Sequence, residues 1–258
     1  MKRLFSPDKL LFPKKKALLV GINYVDSATG VLRGCVNDVK EMALFLKERG
    51  FVTEVYHDED ANLKVGTTYA GIVRNIQKLA TASWKENLDA VFIHYSGHGS
   101  YVSDTNGDEA DGYDECLCPS DMQTSGVILD DYLHELIDAF NPKTRITIVL
   151  DCCHSGTCLD LPFTYKKSND VPCLSKKKTK ANVTLVSGCR DDQTSADAFI
   201  GDKFSGALTR VMLDVLTENP QMSTVYFLDC IQNQLNARGF TQMPMISSSK
   251  TITNIKLF

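Results

Sequence analysis

The chain of 258 residues is 43% hydrophobic and 23% charged, ordinary proportions for a soluble globular protein with a sizeable core. Its formal net charge of −4 gives no reason to expect nucleic acid or an acidic membrane as a partner. Nine cysteines, an odd count without any C-x2-C pair, argue against a disulfide framework and a structural zinc site and point to thiols kept reduced.

Residues 1–16 are interrupted by charge and proline every few positions, so neither a signal peptide nor a membrane span is expected, and the protein is read as cytoplasmic. Ala17–Ile22 is a short apolar run suited to a strand buried on both faces. Asn37 is placed to cap a helix running through Arg49, with Val39, Met42, Ala43, Leu44 and Leu46 as its apolar stripe and Gly50 as its stop. Phe51–Tyr56 reads as a strand, Thr67–Ala82 as a helix with Ile72, Ile76 and Leu79 on one side, and Ala90–Tyr95 as a strand followed by a long acidic loop. A helix is predicted over Asp130–Phe140, ended by Asn141-Pro142, then a strand over Arg145–Leu150. A strand over Ala181–Ser187, helices over Ser205–Glu218 and Thr224–Ala237, and a closing strand over Thr251–Leu257 complete the pattern. Strands alternating with helices predict an α/β fold with a mostly parallel central sheet covered on both faces. Within that single domain, residues 17–160 form a large region, 161–180 a polar linker and 181–258 a small region.

Two segments end in chemistry. Val91–Gly99 reads V-F-I-H-Y-S-G-H-G and Ile148–Gly156 reads I-V-L-D-C-C-H-S-G, each a buried strand delivering a reactive side chain into a small-residue turn. In open parallel sheets the ligand crevice lies beyond the carboxyl ends of the strands. A free cysteine is mostly protonated at neutral pH and needs a base beside it to act as a nucleophile. Cys153 is the candidate nucleophile, His98 the candidate base, and the backbone N–H groups of Gly99 and Cys153 the candidate oxyanion donors. Strand alternation turns Cys152 to the opposite side. His94, inside its strand, reads as a packing residue, and His154 follows the cysteine too closely to face it.

The chain resembles a metacaspase, a cysteine peptidase of the caspase-like superfamily. The resemblance rests on L-R-G-C-V-N-D at 32–38, H-Y-S-G-H-G at 94–99, D-G-Y-D-E at 111–115, D-C-C-H-S-G at 151–156, S-G-C-R-D-D-Q-T-S-A-D at 187–197 and Q-M-P-M-I-S-S-S at 242–249. It implies a caspase-like three-layer α/β/α sandwich, a His98–Cys153 dyad, protein or peptide substrates cut after Arg or Lys, and a monomer. It also implies an acidic pocket of Asp38 and Asp151, lined by Cys35 and Ser96, where buried carboxylates meet the substrate cation. The plain alternatives are a helix-start carboxylate for Asp38 and a turn residue for Asp151.

The same resemblance implies a Ca2+ site at Asp114, Asp130, Asp131 and Asp160. Residues 104–115 superficially fit an EF-hand loop, but Glu109 stands where that loop needs glycine, and the EF-hand is rejected. The alternative is a solvated acidic loop. The lysines at 176–180 admit two readings, a solvated loop or a site of self-cleavage. Compared with the family, the chain has only about 16 residues before its first strand and no long central insertion, which places it near a prodomain-less first type. A catalytically silent calcium-sensing or scaffolding relative is the rival expectation.

Overall fold

The computed structural model describes residues 13–27, 30–104, 107, 112–153, 155, 158–167, 173–174, 178–188, 197–200, 203–220, 222–252 and 257. Each long apolar run becomes a strand. In chain order the first elements are β1 (Lys15–Gly21), α1 (Cys35–Lys47), β2 (Phe51–His57), α2 (Tyr69–Lys85) and β3 (Ala90–Ser96). There follow β4 (Gly99–Ser103), β5 (Tyr113–Leu117), α3 (Met122–Ser125), β6 (Ile128–Leu129), α4 (Asp130–Asp138) and β7 (Arg145–Asp151). The remainder is β8 (Phe163–Tyr165), β9 (Cys173–Leu174), β10 (Asn182–Ser187), β11 (Asp197–Ile200), β12 (Lys203–Gly206), α5 (Ala207–Glu218), α6 (Thr224–Ala237) and β13 (Met245–Ser248).

The central sheet runs β2-β1-β3-β7-β10-β13-β8-β9. Its first five strands are parallel, and β13, β8 and β9 join antiparallel at one edge. Side-chain alternation splits the core in two. Leu18, Val20, Val91, Ile93, Ile146 and Ile148 pack with Ile72 and Ile76 of α2 and Leu133 of α4. On the opposite face Ala17, Leu19, Ala90, Phe92 and Val149 pack with Val39 and Met42 of α1, Leu208 and Val211 of α5 and Phe227 of α6. The result is the expected three-layer α/β/α sandwich. Phe92 has no exposed surface. Phe92→Ala is expected to cost about 3–5 kcal/mol, measured by urea unfolding.

Several element boundaries differ from expectation for identifiable reasons. Helix α1 starts at Cys35, not at Asn37, and ends at Lys47. Asn37 lies inside its first turn, where its side-chain amide donates to the carbonyl of Phe204 at 3.0 Å. Helix α2 is capped by Thr68, whose hydroxyl accepts from the Gly71 N–H, and it runs on to Lys85. The expected acidic loop holds the antiparallel ribbon β4-β5-β6, though residues 105–106 and 108–111 lie outside the described residues. Residues 161–180 carry β8 and β9 of the main sheet. Strand β13 is a further element not expected from the sequence; of the expected strand Thr251–Leu257, Thr251, Ile252 and Leu257 are not in a strand, and 253–256 lie outside the described residues.

Candidate active site

Register brings the two motif turns together. Ser96 at the end of β3 pairs with Asp151 at the end of β7, and Gly21 at the end of β1 pairs with Ser96. His98 and Cys153 therefore each stand two residues past adjacent strand ends. The strand order reverses between β1 and β3, so the His98 turn stands at the topological switch point and the Cys153 turn on the neighbouring strand. Cys152 is 1% exposed and joins the apolar core, whereas Cys153 is half-buried at the surface of the crevice. A Cβ placed on Gly99 would lie 2.0 Å from the carbonyl oxygen of Cys153. Only glycine admits that approach, which keeps the histidine turn against the cysteine turn.

The Nε2 of His98 lies 2.5 Å from the carbonyl oxygen of Gly30. A carbonyl only accepts, so Nε2 carries the proton and the basic nitrogen of the neutral ring is Nδ1. His94 is fully buried, with Nε2 3.1 Å from the Thr209 hydroxyl, and burial pushes its pKa down to about 3. It is a neutral packing residue. His154 lies outside the described residues.

The acidic residues at the strand ends converge on the face that carries α1 and α5. Phe92, His94 and Ser96 alternate to this face of β3, as Val149 and Asp151 do on β7. Asp38, in the first turn of α1, is 1% exposed. It accepts hydrogen bonds from the Ser96 hydroxyl at 2.7 Å, the Ser205 hydroxyl at 2.5 Å and the Gly206 N–H at 3.0 Å. Asp151, 3% exposed, accepts from the N–H and hydroxyl of Thr209, both at 2.8 Å. A Cβ on Gly206 would lie 2.3 Å from Asp151 Oδ2 and 2.8 Å from Asp38 Oδ2, so the carboxylates flank the same glycine. Burial, and next the Asp151 carboxylate, push the Asp38 carboxyl well above the usual carboxylate range. Two like charges out of water call for a cation. Cys35 is buried nearby, its N–H donating to Asn23 Oδ1 at 3.1 Å.

A second group of carboxylates lies around the start of α4. Asp114 and Asp130 are buried, and Asp131 and Asp160 are half-buried. Burial and then Asp160, with contributions from Asp131 and Asp114, push the Asp130 carboxyl up to about 7. Its Oδ1 accepts from the Asp131 N–H at 2.9 Å, while Oδ2 is buried with no hydrogen-bond partner. Among the described residues no group of three or more His, Cys, Asp or Glu stands close enough to hold a metal ion. The orphaned Asp130 oxygen is of the hard, anionic kind that a hard cation prefers. Leu159 and Asp160 adopt positive φ angles of 115° and 44°, and the Leu159 carbonyl accepts from Nδ1 of His134, on α4, at 2.6 Å.

Sequence reasoning missed Ser205, Gly206 and Thr209, which hold the acidic pair, and Tyr24 and Gly30, which contact His98. The signal for the first three was S-G-A-L-T at 205–209, small and hydroxyl residues at a helix start where close approach is possible. It was absorbed into the expected helix.

The chain is similar to proteins already known. The family model described as metacaspase, peptidase C14 domain, matches residues 15–162. Metacaspase-1A of Aspergillus niger is 35% identical over 288 residues, covering 92% of this chain and 70% of that protein. Metacaspase-1A of Neurospora crassa is likewise 35% identical, covering 95% of this chain but 65% of its own length. A protein of Geobacter sulfurreducens of known crystal structure superposes with a TM-score of 0.67 at 28% identity, over 93% of this chain and 94% of its own.

Proposed function

The chain belongs to the metacaspase family and is a cysteine-type endopeptidase, and from that premise we propose that it cleaves after Arg or Lys under the control of calcium. The Cys153 thiolate attacks the scissile carbonyl, and the N–H groups of Gly99 and Cys153 hold the oxyanion that forms. The amine leaves with a proton from His98, and a water activated by His98 then hydrolyses the thioester. The preference for a basic residue rests on one observation, the Asp38–Asp151 pair buried around Gly206. Cys35 and Ser96 complete the pocket wall. An Asn- or Asp-directed peptidase would have to bury an acidic or neutral side chain against two carboxylates. Reporters differing only in the residue before the scissile bond test the reading: Arg and Lys are expected to be cut, and equal or faster cutting after Asp overturns it.

A proton on the acidic pair removes the charge that the substrate cation needs. The KM of an Arg reporter is therefore expected to rise as pH falls through the ionisation of the pair, with steady-state kinetics as the measurement. Stability moves the other way. The folded state binds the Asp38 proton more readily than the unfolded chain does, so this contribution grows as pH falls from the raised value towards the ordinary carboxylate range and is lost as pH rises.

Asp114, Asp130, Asp131 and Asp160 would hold the calcium ion. Bound there, calcium supplies the positive charge that relieves their mutual repulsion. Asp160 lies seven residues beyond Cys153, and Leu159 is tied through its carbonyl to the helix that begins with Asp130-Asp131. Ordering these side chains fixes the chain leading away from the nucleophile. Asp160→Asn is expected to raise the calcium concentration for half-maximal cleavage about tenfold or more. Full activity of the unaltered protein in excess chelator overturns calcium control. The same reading has a cytoplasmic monomer act on protein substrates; among the described residues no helix is long and apolar enough to cross a membrane.

A further inference from the structure

Tyr24 stands just past the end of β1, at the switch point of the sheet, with φ +57°. A non-glycine residue enters that left-handed region at a cost and stays there only when its surroundings hold it. The conformation places the Tyr24 ring 4.6 Å from the imidazole of His98, with an angle of 33° between the planes. The Tyr24 hydroxyl accepts the His98 N–H at 2.8 Å and donates to the Cys118 carbonyl at 2.6 Å. The Tyr95 hydroxyl lies 2.9 Å from the carbonyl oxygens of both His98 and Cys118 and 3.1 Å from the Tyr24 hydroxyl. The Cys118 N–H closes the set by donating to the His98 carbonyl at 3.2 Å. Burial pushes both phenols well above their ordinary pKa, so both hydroxyls keep their protons.

These contacts answer a mechanical problem. His98 sits between Gly97 and Gly99, the residue type least able to hold a turn in one shape. A base out of line by a fraction of an ångström loses much of its effect. We propose that Tyr24 is the positioning residue for His98, its hydroxyl fixing the main chain of the base and its ring setting the plane of the imidazole. The inference rests on the reading of His98 as that base.

Two variants test it, assayed with an Arg reporter at saturating calcium alongside thermal melting. Tyr24→Phe keeps the ring and is expected to lower kcat about tenfold with KM unchanged, the size expected when one buried hydrogen bond is lost. Tyr24→Leu removes ring and hydroxyl and is expected to lower kcat about a hundredfold, the cost of a misplaced reacting group. Unchanged kcat in both variants, a loss confined to KM, or a loss that follows unfolding overturns the proposal. Should Tyr24→Leu fail to fold, Tyr24→Phe decides. His98→Ala separates the two levels. An active His98→Ala variant removes the base reading itself, whereas an inactive one beside fully active Tyr24 variants refutes the role of Tyr24 alone.

Discussion

Replacing Cys153 with alanine is expected to reduce cleavage of Arg- and Lys-terminated reporters to background, a fall in kcat of roughly 10⁴ to 10⁶. The size follows from the removal of a covalent path: without the thiol, water must attack an unactivated amide, and oxyanion donors and substrate binding alone supply the residual rate. His98→Ala is expected to fall into the same range, because the proposed nucleophile and base would act as one unit and their losses would not add. Cys152→Ser is the informative neighbour. Its side chain is 1% exposed and belongs to the apolar core between the sheet and α2 and α4. Cleavage is expected to stay within about threefold of the unaltered protein, with the penalty appearing in stability through a buried hydroxyl. Peptide-release kinetics on the three variants measure the contrast.

The second large effect is expected at the acidic pair. Asp151→Asn keeps the hydrogen bonds from Thr209, and Asp38→Asn keeps an acceptor for Ser205 and Gly206, but each removes half of the charge proposed to receive a substrate cation. An Arg or Lys side chain would then enter a buried site with incomplete compensation. A cost of 3–5 kcal/mol for breaking a buried pair corresponds to a fall in kcat/KM of roughly a hundred- to several thousandfold. Stability is expected to move in the opposite direction. The two carboxylates repel across Gly206, and neutralising either relieves that repulsion, so Tm is expected to hold or rise. Lost activity with retained or increased Tm separates a binding pair from a structural one; a lower Tm with unchanged kcat/KM identifies a structural pair.

What could be read beforehand follows from physical locality. The parallel strands announced themselves as continuous apolar runs because both of their faces are buried. The position of His98 and Cys153 just past adjacent strand ends was legible because the crevice rule needs only the end of each strand. The ribbon β4-β5-β6 escaped because the charged residues of 104–115 mask the alternation on either side of its turn. Strand β13 escaped because Ser247 and Ser248 are poor strand formers in isolation. Their hydroxyls are used across the sheet, Ser247 with Thr164 at 3.0 Å and Ser248 donating to the Val183 carbonyl at 3.1 Å. Asn37 misled as a cap because its polar side chain serves a tertiary contact with Phe204. The supports of the acidic pair were illegible for a different reason. Thr209 lies 58 residues from Asp151 and Ser205 167 residues from Asp38 in sequence, and only the packing of α5 on β7 and of β12 on α1 makes them neighbours.

The central claim is that Cys153 is the nucleophile of a site built for a basic residue. Intact-protein and peptide mass spectrometry after brief exposure to an arginine-terminated, thiol-directed electrophile tests it most directly. One adduct on Cys153 is expected, formed with calcium, suppressed by chelator, absent in Cys153→Ala and not reproduced by the aspartate-terminated analogue. An adduct on Cys152 or another thiol, or equal labelling by the aspartate probe, would contradict the account.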